Sequence, residues 1–209
     1  MIDVMFVANL LLSLAVLIIC AEIARRWKRR RMLSLEFFMV GANHLLSFVF
    51  FNYWFFYESE LALVLSAVSS ALLASFLSAA IVRMLYSPRM PMNWILAAYV
   101  FVPAVHLMTS DFQLTLFHLM LVSALVILCS FALLAMAGRS GMRRYGAIGI
   151  LTGLMAIRYL YGFLSGEKLQ LLWTAMNFLV VIMYYGLLRA SYSRPRDFIA
   201  DYNAKRDGR

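Results

Sequence analysis

The sequence predicts an all-α membrane protein: one bundle of seven transmembrane helices, N-terminus outside and C-terminus cytoplasmic. Three observations carry this. First, 64% of its 209 residues are hydrophobic and only 14% are charged. A soluble domain averages about 45–50% apolar and about 25% charged, so a chain this size in water could not hide its apolar surface. Second, the apolar residues fall into seven runs near the roughly 20 residues a helix needs to cross a bilayer. Third, the charges between those runs alternate in sign from one connection to the next.

The spans are expected at about 4–24, 33–56, 61–82, 92–109, 113–137, 145–164 and 171–189, followed by a short cytoplasmic tail, 190–209. Span one is almost wholly apolar. Asp3 precedes it and the arginines follow it, the reverse of a cleaved signal peptide, so it is expected to be retained. The run Arg25 to Arg31 holds six bases in seven positions and closes span one. Span two returns through Glu36, Asn43, His44 and Ser47 to the aromatic stretch FFNYWFF. Glu58 and Glu60 separate it from span three, which ends at Arg83. Span four and span five meet at Asp111. Arg139, Arg143 and Arg144 join span five to span six, and Glu167 and Lys168 lie between spans six and seven. With the N-terminus outside, every lysine and arginine except Arg158 and Lys168 is on the inner side or at an inner helix end. This is the positive-inside bias. It implies a cytoplasmic membrane of bacterial type.

The basic run 25–31 is thereby read as a topology determinant. It attracts anionic headgroups, each base contributing about 1 kcal/mol near the surface. A nucleic-acid partner is not expected, because a short loop tied between two spans cannot enter a groove. The two cysteines, Cys20 and Cys129, lie in apolar runs with no CxxC and no disulfide framework.

Spans one to three echo spans five to seven. NLLLSLAVLIIC at 9–20 faces HLMLVSALVILC at 118–129, and the basic loops and acidic connections recur at similar offsets. A three-plus-one-plus-three duplication, with span four as the linker, is the expected architecture. Repeats of this kind are frequent in transporters. Residues 171–189 contain no lysine for a retinal Schiff base, and no span holds a proline–glutamine pair.

Polar groups at membrane depth are functional candidates by default. In span two, Glu36, Asn43 and Ser47 share one helical face, with His44 at its edge. Glu36 is expected to pair with the basic loop, and Asn43 and His44 to sit near mid-membrane. Arg158 points away from Gly153 on span six. It is expected to snorkel outward or to line an outer cavity with His106, His118, Asn177, Tyr159 and Tyr161. Ala67, Ala71, Ala74 and Ser78 form one small-residue stripe, and Gly146, Gly149, Gly153 and Ala156 another. Such stripes let helices approach closely, within the chain or in a homo-oligomer or a complex with another membrane protein.

No enzyme signature is present: no GxSxG, HExxH or glycine-rich phosphate loop. The three histidines lie on separate spans without ligand spacing, so neither a metal nor a cofactor is expected. The functional expectation is a small transporter or channel component for a small solute. The alternative is a sensor or scaffold subunit acting through helix–helix contacts.

Overall fold

The computed structural model describes residues 4–86, 91–165 and 170–191. The expected charges Asp3, Arg89, Glu167 and Lys168, the side chain of Tyr161 and the tail beyond Ser191 lie outside the described residues. The described residues form eight helices joined by turns, without strands: α1 Val4–Arg26, α2 Arg31–Tyr57, α3 Glu60–Tyr86, α4 Pro91–Ala97, α5 Phe101–Thr109, α6 Phe112–Arg139, α7 Arg143–Ser165 and α8 Gln170–Ser191. Six stretches are long and apolar enough to cross a membrane, counting Pro91–Thr109 as one. The chain therefore has the character of a multi-pass membrane protein. α7, which carries Arg143, Arg144 and Arg158, is not among the six.

The fourth span departs from expectation. It is two short helices joined by a turn at 98–100, where Tyr99 N–H reaches Leu96 O and Val102 N–H reaches Tyr99 O. Pro103 accounts for the break. It has no N–H to donate, and its ring clashes with the carbonyl four residues back, that of Tyr99. The turn directs Tyr99 inward, while Trp94, Phe101, Leu107 and Met108 stay exposed.

The tight connections have local causes. α2 ends with Glu58 and α5 with Ser110, both left-handed, each returning its N–H to the carbonyl four residues earlier. Asp111 caps α6, its side chain accepting from Leu114 N–H at 3.0 Å. The α6–α7 turn is a Schellman motif. Met142 N–H bonds Ala137 O, Gly141 N–H bonds Gly138 O, and Gly141 takes φ 104°, a conformation that favours glycine.

α1, α2, α3, α6, α7 and α8 each pack against the next, and α8 closes back on α1. The result is a ring of six helices. α4 and α5 sit outside it, against α3 and α6 respectively. The seams are close. A Cβ on Gly138 would lie 2.6 Å from Gly146 Cα, one on Gly149 would lie 3.2 Å from Leu134 Cβ, and one on Gly41 would lie 2.8 Å from Cys20 Cβ. Gly153 faces the Phe131 ring. Ala67, Ala71 and Ala74 are buried on α3. Both small-residue stripes are thus used between helices of the same chain.

Candidate functional site: the polar centre of the ring

The ring encloses many polar side chains. Some belong to seams where each side chain described makes at least one hydrogen bond. On the α2–α3 seam, Ser47 Oγ and Ser70 Oγ are 2.7 Å apart, and Ser66 Oγ donates to Ser47 O at 3.0 Å. Nearer the basic end, Arg83 Nε donates to both Glu36 oxygens, at 2.9 and 3.1 Å. Glu36 is 2% exposed. The expected pairing of Glu36 with the basic loop is therefore replaced by a pairing with Arg83. The reason is helical phase: Glu36 lies on the buried side of α2, while Arg31, Met32 and Leu35 face outward. On the α3–α6 seam, Ser130 Oγ donates to Ser78 Oγ at 2.7 Å, and Ser78 Oγ donates to Val126 O at 3.1 Å.

The α1–α8 seam holds an amide pair. Asn177 Nδ2 donates to Asn9 Oδ1, and Asn9 Nδ2 donates to Met5 O and Thr174 Oγ1 at 2.8 and 2.9 Å. At the other end of the same seam, Arg26 Nε donates to Ser191 O at 3.0 Å, satisfying a carbonyl of the last turn of α8.

The centre is different. α2 supplies His44, α7 supplies Arg158 and Tyr159, and α8 supplies Tyr184; all four are buried. The depths agree: at about 1.5 Å per residue, His44 lies about 20 Å along α2 and Arg158 about 22 Å along α7, both from the basic end. The His44 and Tyr184 rings meet edge to face with centroids 6.4 Å apart. The Arg158 guanidinium lies within electrostatic reach of His44, Tyr159 and Tyr184. Tyr159 lies beside Ser70 of the α2–α3 seam. From outside the ring, the Tyr99 hydroxyl enters between α3 and α6, 3.3 Å from Ala71 O and 3.4 Å from Ser123 Oγ.

Two of the central groups lack partners. The Tyr184 hydroxyl is fully buried with no hydrogen bond among the described residues. The His44 ring likewise has none among them beyond its aromatic contact. A buried hydroxyl left unsatisfied costs about 1–3 kcal/mol. The centre therefore carries donors that water or a small polar solute would satisfy.

The expected outer cavity of Arg158, His106, His118 and Asn177 is not assembled. His106 is exposed and its Nδ1 is 2.9 Å from Thr115 Oγ1. His118 Nδ1 is 2.8 Å from Leu114 O of its own helix, and Asn177 pairs with Asn9. Of the span-two candidates, Asn43 Nδ2 bonds Met39 O of its own helix at 2.8 Å and Ser47 belongs to the α3 seam, so His44 alone is brought to Arg158. Sequence reasoning missed Tyr184, Asn9 and Tyr99. The signals were present: an amide inside an apolar run, and a tyrosine four residues before a proline. No group of three or more histidine, cysteine or acidic residues capable of holding a metal occurs among the described residues.

This fold and centre define a class, a multi-pass helical membrane protein with a ring of helices around buried polar groups. No family model, curated protein or solved structure matches the chain.

Proposed function

We propose that the chain is a small multi-pass membrane transporter or channel component for a small polar solute. The observation that carries this reading is the pair His44 and Tyr184, without hydrogen bonds among the described residues, beside the buried Arg158 at the middle of a closed ring. Ionisable groups at that depth face solute paths or relays. Groups that served only to hold helices together would be bonded, as Asn9, Ser47 and Ser78 are. In this reading α7 also crosses the membrane, giving seven spans with the N-terminus outside. Support comes from its place in the ring between α6 and α8 and from the inward bias of the basic residues. The ring order agrees with a three-plus-one-plus-three repeat, since α1–α2–α3 and α6–α7–α8 are joined at both ends and α4–α5 stands outside. A bacterial-type cytoplasmic membrane is the setting this charge bias favours.

The competing reading, a sensor or scaffold that binds a partner through its small-residue stripes, loses its surface here, because both stripes face inward. Thiol labelling separates the two. Cys20 and Cys129 are replaced by serine, and single cysteines are placed at His44, Asn43 and Ser47 and at lipid-facing Leu46 and Val49. Transport predicts that an impermeant charged thiol reagent modifies position 44 but spares 46 and 49. A scaffold predicts that every deep position stays unmodified while the helix ends react.

A further inference from the structure

A second polar feature lies away from the centre, at the end of the molecule where α7 begins and α8 finishes. A groove of about 460 Å³ is lined by Arg144 of α7 and by Tyr185, Leu188 and Arg189 of α8. Arg144, Tyr185 and Arg189 are exposed and Leu188 is half-buried. Arg189 is fixed in place: its Nε donates to Tyr185 Oη at 3.1 Å, and its Cζ lies 5.6 Å from the Tyr185 ring centroid. Arg144 makes no hydrogen bond or ion pair among the described residues. Among the described residues, no acidic side chain lines the groove or occupies the first turn of α7. Two guanidiniums from different helices thus flank one recess with an apolar floor.

We propose that this groove binds an anionic phospholipid, its phosphodiester held between Arg144 and Arg189 and an acyl chain lying along Leu188 and the Tyr185 ring. Charge complementarity selects the headgroup. A guanidinium fork matches phosphate oxygens better than an ammonium does. Position selects a lipid over a free ion. Helix ends bearing arginine and tyrosine sit at headgroup level, and basic recesses between membrane helices are suited to acidic headgroups. The exposed Tyr185 and the half-buried Leu188 open the groove toward the acyl chains. This site depends on membrane insertion and not on transport, so it stands or falls separately from the proposed function.

The test is native mass spectrometry of the full chain in detergent, titrated with phosphatidylglycerol and, separately, with phosphatidylcholine of the same acyl chains. At about 1 kcal/mol per surface base, phosphatidylglycerol binds about 30-fold more tightly than phosphatidylcholine at one site. R144Q and R189Q each weaken it about fivefold, and the double variant reduces it to the phosphatidylcholine level. R144K and R189K retain most of the preference, which keeps the series readable if a glutamine variant fails to fold. R29Q, on the α1–α2 turn and outside the groove lining, leaves binding unchanged. The proposal is overturned if the two lipids bind equally, if R29Q weakens binding as much as the double variant, or if inorganic phosphate at equal concentration displaces the lipid.

Discussion

The α2–α3 seam and the centre of the ring draw on the same helix and opposite outcomes. Along the seam, Glu36 meets Arg83, and Ser47 meets Ser70 and Ser66. At the centre, His44 and Tyr184 face one another and Arg158 without hydrogen bonds of their own among the described residues. Residue type alone does not separate these regions, since both are polar and buried. What separates them is whether each donor has an acceptor. A satisfied polar group explains itself as packing, whereas an unsatisfied one at membrane depth points to something that comes and goes.

That contrast can be broken at several places. The largest effect is expected at Glu36. Glu36→Leu takes the carboxylate from the partly buried Arg83, and removing one partner of a buried pair costs about 3–5 kcal/mol. Thermal unfolding in detergent should show a steep loss, and Glu36→Leu with Arg83→Leu should recover much of it. If Glu36→Leu unfolds like the parent, the seam is not held as described.

Gly138→Ala comes next. Its Cβ would lie 2.6 Å from the backbone of Gly146, and overpacking of that kind costs about 1–3 kcal/mol. A parallel change at Gly146, whose Cβ would meet Gly138 Cα at an ordinary 3.4 Å, is expected to cost less. Equal losses at the two positions would show that the seam is looser than it stands here.

Smaller still is the amide pair. Asn9→Ala and Asn177→Ala, taken through a double-mutant cycle, should show a coupling of about 0.6–1.7 kcal/mol, the range for bonds between membrane helices. Additive losses would mean that the two amides act separately. At the bottom of the scale, Tyr184→Phe removes a hydroxyl that no described residue satisfies. If water satisfies that hydroxyl in a wet centre, stability should fall by about 0.5–1.5 kcal/mol, whereas a dry, unsatisfied hydroxyl would make the variant more stable by about 1–3 kcal/mol; the same change removes a donor from the proposed solute site.

The sequence made the helices legible, because apolar runs of span length and alternating charge are strong signals. It also marked α2 as the polar helix and Arg158 as a charge at membrane depth, but grouped Arg158 with His106, His118 and Asn177 and not with His44. It did not disclose which α2 residues face which neighbour. Glu36 lies close in sequence to Arg31, yet the phase of α2 turns it toward Arg83. Asn9 and Asn177 are far apart in the chain and meet only because α8 closes the ring on α1. The break in the fourth span was legible in Pro103, but the consequence, Tyr99 turned into the α3–α6 seam, depends on packing that no local pattern encodes.

The central claim is that the middle of the ring is wet while its seams are dry. Hydroxyl-radical footprinting of the unmodified protein tests it directly, because side chains beside internal water are oxidised even when buried. Tyr184 and Phe37 are both aromatic, with Tyr184 fully buried and Phe37 1% exposed, so they form a matched pair. The account predicts dose-dependent oxidation of Tyr184 with Phe37 left intact. If Tyr184 is as inert as Phe37, the centre is dry, and the polar cluster holds helices together without admitting a solute.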